Sequence, residues 1–253
     1  MRNPLIIANW KMNPLTAREA VLWARKIERG VSKYKNVGVV IASPFPFLMS
    51  LGRVLKHARL GAQDSAWAES GPLTGEVSWR QLQNFGVRYV IVGHSERRMH
   101  IGETDEMVQK KVQALLIHRM VPVLCIGERV RTGNDIPAVV GDQLKNALKG
   151  VARPLVKNLI VAYEPIWAVS TIRGARVDTP DNAFRTMVYI RKILTSFYGR
   201  AAAEAVRVIY GGSVRSTNVA LFLKEGKMEG TLVGGASLDP VEFSKIVEVA
   251  SRQ

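Results

Sequence analysis

Eight times along its 253 residues the chain repeats one unit: a short apolar run, a polar loop, then a segment with helical spacing. Strands are expected near 5–10, 37–42, 59–63, 88–93, 121–126, 158–163, 206–211 and 230–234. Most are unbroken Val, Ile and Leu runs rather than strict alternations, the pattern of parallel strands covered on both faces. Eight such alternations, with no long linker or low-complexity tract, predict one α/β domain over 1–253, closed as a (βα)8 barrel. A doubly wound open sheet is the competing arrangement. It would carry a nucleotide-binding loop early, and Leu5 to Asn13 holds no glycine.

Helix starts are written between the runs. Thr16-Ala17-Arg18-Glu19 has capping-box spacing, in which a hydroxyl and a carboxylate satisfy each other's orphan amides. Thr179-Pro180 and Asp239-Pro240 each set a capping oxygen before a proline that suits the first helical turn. Ala20, Val21, Ala24 and Ile27 then form an apolar stripe. Segments 104–119, 135–151, 181–198 and 240–251 have the same character.

A hydrophobic content of 47% fills a core of this size without staples. Cys125 is the only cysteine, so no intrachain disulfide can form and a reducing, cytoplasmic setting is expected. The apolar runs are far shorter than the ~20 residues of a membrane helix, and the N-terminus has no signal-peptide pattern; no membrane partner is expected. The charge is less ordinary, with 36 Lys and Arg against 21 Asp and Glu for a net +15. Such charge either binds nucleic acid or forms a solvated exterior that draws in an anionic substrate. Lys and Arg recur on nearly every helical segment, as in Arg18, Arg25, Lys26, Lys110, Lys111, Arg191 and Lys192, with no recognition motif. That spread favours the exterior over a nucleic-acid partner.

Side chains able to do chemistry stand at strand exits. Glu164 follows the apolar run Asn158–Ala162 and precedes a proline; a buried strand has no use for that charge unless it faces a site. Asn9 and Lys11 follow Leu5-Ile6-Ile7, and His94 follows Tyr89-Val90-Ile91-Val92. In a barrel these exits share one end. The plainer alternatives are a surface carboxylate and a surface lysine. The stiff Pro165-Ile166-Trp167 flank argues against the first, and the Trp10 and Met12 flanks against the second. His57, His100 and His118 are expected to be structural. Gly211-Gly212-Ser213 and Gly234-Gly235 are glycine turns after the last two strands, where main-chain amides can approach a phosphate. No His, Cys or Asp cluster has ligand spacing, and neither a metal nor an organic cofactor is expected.

Six blocks in order carry a resemblance. They are Asn9-Trp10-Lys11-Met12-Asn13, Thr74-Gly75-Glu76-Val77-Ser78, Gly93-His94-Ser95-Glu96-Arg97-Arg98, Cys125-Ile126-Gly127-Glu128, Ala162-Tyr163-Glu164-Pro165-Ile166-Trp167-Ala168, and Tyr210-Gly211-Gly212-Ser213-Val214 with Leu232-Val233-Gly234-Gly235-Ala236-Ser237. With them the chain resembles the triosephosphate isomerase family. The resemblance implies a TIM barrel that interconverts dihydroxyacetone phosphate and D-glyceraldehyde 3-phosphate through an enediolate, in glycolysis and gluconeogenesis. It makes Glu164 the base, His94 a neutral electrophile ahead of a helix start at Ser95-Glu96, Lys11 a fixed positive charge and Asn9 a neutral donor. A lid that dries the site would raise the proton affinity of Glu164. Glu96 resembles the family's carboxylate near the lysine, with helix capping as its plainer role. Asn9, Lys11, Ser170, Gly212, Ser213, Gly234 and Gly235 would hold the substrate. The stretch 65–78 is too long for an ordinary barrel connection; in the family it enters a second subunit, with Thr74 buttressing the partner's site, so a homodimer is implied.

The lid, 165–178, departs from the family pattern. Ser170 and Ile172 stand where glycines are usual, and Arg176, Val177 and Asp178 are extra before Thr179-Pro180. Closure with altered kinetics is expected. Pro72-Leu73 is likewise unusual in the interface loop. Two other functions are carried forward: a phosphate-binding barrel with a Schiff-base Lys11, and a basic scaffold or nucleic-acid-binding barrel that keeps the family's sequence. The second would have lost catalytic groups first, and none is missing.

Overall fold

The computed structural model describes residues 2–133, 135–169 and 176–253. Eight strands run β1 (Leu5–Asn9), β2 (Gly38–Ser43), β3 (Arg59–Ala62), β4 (Tyr89–Val92), β5 (Val121–Ile126), β6 (Ile160–Tyr163), β7 (Arg207–Tyr210) and β8 (Gly230–Val233). They pair in parallel in sequence order, and β8 closes against β1. The expected strands match these within two residues at each end. The open doubly wound sheet is excluded, since the strand order has no switch point.

Ten α-helices occur among the described residues: α1 (Ala17–Val31), α2 (Leu48–Gly52), α3 (Trp79–Asn84), α4 (Asp105–Ile117), α5 (Ala138–Ala147), α6 (Arg153–Val156), α7 (Pro180–Tyr198), α8 (Arg200–Ala205), α9 (Val219–Lys224) and α10 (Pro240–Ala250). The caps work as the residue types require. Thr16 and Glu19 form both halves of the box at α1, and Thr179 accepts from the Asn182 amide at α7. Asp239 accepts from the Val241 amide at α10. No helix among the described residues is long and apolar enough to cross a membrane.

A closed sheet has two faces, so period-2 alternation fills two cores. Leu5, Ile7, Val40, Ala42, Ile91, Val123, Cys125, Ile160, Ala162, Ile209 and Leu232 pack inside the barrel. Their neighbours, among them Ile6, Ala8, Val39, Ile41 and Val161, face outward onto helix residues such as Ala20, Ala24 and Ile27. One more step of the inward register leads from Ile7 to Asn9, from Ala162 to Glu164, from Ile209 to Gly211 and from Leu232 to Gly234. The ladder itself runs on past the strands: the Glu164 amide donates to the Ile126 carbonyl at 2.8 Å, and the Gly211 amide to the Tyr163 carbonyl at 2.7 Å. The barrel's own alternation therefore delivers a carboxylate, an amide side chain and two glycines to one mouth.

Lys111 corrects one expectation. It belongs to no solvated helix face: only 1% of it is exposed, and its ammonium donates to both Asp64 oxygens at 2.8 Å and to the Glu103 carboxylate. Arg97 bridges the same two acids, at 2.8 Å from Asp64 and 3.3 Å from Glu103. The second Glu103 oxygen accepts the Gly93 amide at 3.1 Å. This knot joins the loops after β3 and β4 to α4, and holds the backbone at Gly93, next to His94. Past Ser95-Glu96 the helical turn widens into a π-turn over Arg97–Ile101. Of the remaining histidines, His118 stacks on Trp79 with ring centroids 3.5 Å apart, as a structural residue would.

Candidate active site

Asn9, Lys11, His94 and Glu164 line one cavity at the strand C-terminal mouth together with Gly211–Arg215 and Gly234–Ala236. The sequence-expected residues on five strand exits thus do meet. Glu164 is 3% exposed. One carboxylate oxygen lies 3.1 Å from His94 Nε2, and the other accepts the Ser95 amide at 3.2 Å. His94 Nδ1 accepts the Glu96 amide at 3.2 Å. A nitrogen that accepts carries no proton, so the tautomer assigned from these partners is neutral, with Nε2–H donating toward Glu164.

The electrostatics follow from that contact. Burial pushes the Glu164 carboxyl up, but the His94 ring, the Ser95 amide and the Cys125 thiol together hold it below the usual carboxylate range. The expected rise in proton affinity is therefore absent while Glu164 lies on His94. A base with high affinity requires the carboxylate to leave the ring. Burial pushes His94 down, while Glu164 and then Glu96 pull its proton affinity up past that penalty. The Glu96 amide aimed at Nδ1 opposes a second proton there.

Lys11 sits in the left-handed region at φ 52, a conformation that costs on the order of 1 kcal/mol or more and concentrates at functional sites. Its amide donates to Asn9 Oδ1 at 3.0 Å, which leaves the Asn9 NH₂ as the donor end. Gln63 Nε2 pins the Lys11 carbonyl at 2.8 Å and the Ala42 carbonyl at 3.1 Å. The ammonium lies 2.5 Å from Glu96 Oε1, so Glu96 does stand beside the lysine. Met12, by contrast, is 89% exposed and gives the lysine no dry flank; Trp10 alone is buried.

Gly212, Gly234 and Gly235 line the cavity as expected, whereas Ser213 turns its polar groups elsewhere. Both its amide, at 3.3 Å, and its hydroxyl, at 2.7 Å, donate to the Ala168 carbonyl at the root of the lid. Two glycines make room for the carboxylate, a need no turn argument anticipates. A Cβ on Gly211 would come within 2.7 Å of Glu164 Cγ, and one on Gly127 within 1.8 Å of the Glu164 carbonyl oxygen. Gly211→Ala is expected to lower kcat about tenfold or more, because small displacements of a reacting group are costly. The check is steady-state kinetics beside a melting curve that stays near wild type.

The root of the lid is tied down by Glu128. Its Oε1 accepts from the Tyr163 hydroxyl and from Trp167 Nε1, both at 2.9 Å, and its carbonyl accepts the Ile166 amide at 3.0 Å. At the far end of the lid, the extra residue Asp178 is buried. Its carboxylate accepts the Tyr210 hydroxyl at 3.1 Å and the Thr179 amide at 2.8 Å. The insertion at Arg176–Asp178 is thus anchored to β7 and to the α7 cap. Ser170 and Ile172 lie outside the described residues.

The stretch 65–78 is braced at its root, where Ala66 pairs with Ser78 and its amide donates to the Val77 carbonyl at 2.8 Å. Thr74 is exposed near its tip. A second groove opens beside the site between Lys11, Phe45, Gln63 and Glu96. Among the described residues no group of three His, Cys, Asp or Glu is placed to hold a metal ion.

A sequence model of the triosephosphate isomerase family matches residues 4–250. The triosephosphate isomerase of Thermoanaerobacter pseudethanolicus is 43% identical over 98% of this chain and 99% of its own length. Those of Caldanaerobacter subterraneus (43%) and Saccharopolyspora erythraea (42%) align over 98% and 99% of this chain and 99% and 97% of theirs. With the closed parallel barrel and the mouth just described, these matches show that the chain belongs to the triosephosphate isomerase family.

Proposed function

We propose that this mouth interconverts dihydroxyacetone phosphate and D-glyceraldehyde 3-phosphate with the following division of labour. Glu164, swung off His94, takes the proton from the carbon next to the carbonyl and returns it to the neighbouring carbon. The His94 Nε2–H and the Lys11 ammonium donate to the two enediolate oxygens, and the Asn9 NH₂ supports them. Glu96 holds the lysine in place through its 2.5 Å contact. Gly212, Gly234 and Gly235 offer backbone to the phosphate, and Ser213 and Ser170 join them once the lid carbonyl of Ala168 releases Ser213. The observation that carries this reading is the 3.1 Å contact between Glu164 and His94 Nε2 inside the cavity that Lys11 also lines. Because the Lys11 ammonium is already engaged by a carboxylate, Schiff-base chemistry is the weaker use of it.

Isomerisation in deuterated water tests these roles. Deuterium entering the product at the carbon next to the carbonyl supports a base-mediated enediolate. Complete retention of the substrate hydrogen together with unchanged turnover of Glu164→Gln, or a borohydride-trapped adduct on Lys11, refutes it.

The protein acts as a cytoplasmic homodimer in this reading, each braced 65–78 loop entering the groove beside Lys11 of a second copy. The exposed Thr74 and the open groove that Lys11 lines support it. Thr74→Arg is expected to shift sedimentation to the monomer and to cut activity by about tenfold or more, since a buried unpaired charge costs several kcal/mol. A fully active monomer would contradict the partner's part in the site.

A further inference from the structure

The net charge is not spread as the helical segments suggest. Once the fold is known, it separates by end. The connections that lead into the strands (short helices α6 and α8 included), the first strand residues and both chain ends carry fifteen Lys and Arg against three Glu, so +12 of the overall +15 lies at the strand N-terminal end. The connections that leave the strands, where the catalytic mouth lies, are net negative. Every one of the eight strands is entered through a Lys or Arg within three residues of its start. An attraction for the triose phosphate does not explain this, since the charge stands at the end opposite its site.

That end is concave. A bowl there has a rim of Arg2, Lys35, Lys157 and Arg207 over an apolar floor that includes Leu5, Tyr89, Val121 and Ile160. Glu229 offsets part of the rim through Arg2 at 3.8 Å, and is shared with Arg191 of α7 at 2.6 Å. The Arg207 guanidinium donates to the Asn3 carbonyl at 2.7 Å, which fixes it without cancelling its charge. Lys35, Arg88 and Lys157 are exposed and have no carboxylate partner among the described residues.

We propose that the strand N-terminal end of the barrel binds single-stranded nucleic acid, with phosphates on the cationic rim and an unpaired base over Tyr89 in the bowl. Three features favour this occupant. The charge exceeds what a single nucleotide could neutralise, and so fits an extended polyanion. A recessed floor does not seat a flat bilayer. An aromatic ring ringed by Lys and Arg is the arrangement that holds unpaired bases without reading their sequence. The site is independent of the isomerase mouth, so either can fail without the other.

The test is fluorescence anisotropy of a labelled mixed-sequence RNA of about 12 nucleotides, titrated with wild type and two variants over a range of salt. Lys35→Ala/Arg88→Ala/Lys157→Ala is expected to lose at least about tenfold in affinity at low salt. It should also flatten the dependence of log K on log salt by about 2, at roughly 0.7 for each phosphate that no longer meets a cation. Tyr89→Ala is expected to lose about fivefold or more with the salt slope unchanged. Both variants should keep wild-type isomerase turnover, which shows that they fold. Equal binding by the triple variant and wild type would overturn the proposal. So would tighter binding of duplex than of single strand, or a Tyr89→Ala variant that binds RNA as tightly as wild type does. Binding of phosphatidylserine vesicles that depends on the same three cations, with none to RNA, would assign the surface to membranes instead.

Discussion

Glu164→Gln lowers kcat by roughly 10³-fold, within the 10²–10⁴ that a positioned general base supplies, or about 4 kcal/mol of barrier. The substitution preserves shape. A glutamine oxygen can still accept the Ser95 amide that Glu164 now accepts at 3.2 Å. What it cannot do is accept a proton from carbon. KM should change by a small factor, because the phosphate turns at Gly212 and Gly234 are untouched. The acid side of the kcat/KM profile offers a second readout. Glu164 is held below the usual carboxylate range by its contacts with His94, Ser95 and Cys125 even though burial pushes it up. The free enzyme therefore keeps its base ionised as pH falls through the ordinary carboxylate range, and loses it only below that range. The Gln variant should lack this limb altogether.

Lys111→Met destabilises the protein by about 3–5 kcal/mol, the cost of stripping one partner from a buried ion pair. Asp64 and Glu103 both point at the Lys111 ammonium in a space from which water is excluded. Methionine matches the length of the stem and leaves Arg97 as the one cation among the described residues bridging the two acids. The pH dependence has a definite sign. Burial raises Asp64 above the ordinary carboxylate range, Lys111 opposes that, and removing the lysine raises it further. A carboxyl raised in the folded state favours folding when protonated, and that benefit is lost as pH rises through the folded value. The deficit of the variant should thus be largest at neutral pH and shrink in mild acid. Urea unfolding of both proteins at the two pH values measures it. An equal deficit at both would show that Asp64 is not the group left exposed.

Much of this is legible in the sequence. The eight apolar runs could be counted because parallel strands covered on both faces have no polar interruptions. The exits at Asn9, His94 and Glu164 stood out because charged or polar residues end those runs. Long-range pairing was not legible. Nothing local in Lys111 separates it from the solvated Lys110 beside it, since its partners lie 47 and 8 positions away. Gln63, which pins the strained Lys11 backbone, and Asp178, which anchors the lid insertion under Tyr210, were hidden for the same reason. Gly127 and Gly211 looked like turn residues, and their service to the Glu164 backbone and side chain shows only across strands. The end-to-end separation of charge also requires the fold, because successive connections in sequence lie at opposite ends of the barrel.

The most direct trial is a crystal structure with a planar, two-oxygen phosphate ester bound as a mimic of the enediolate. Glu164 should have left His94 Nε2 and lie over the two carbons, with Nε2 and the Lys11 ammonium on the oxygens and the phosphate against Gly212 and Gly234. A mimic bound away from this mouth, or a Glu164 still paired with His94 beneath it, would contradict the proposed chemistry.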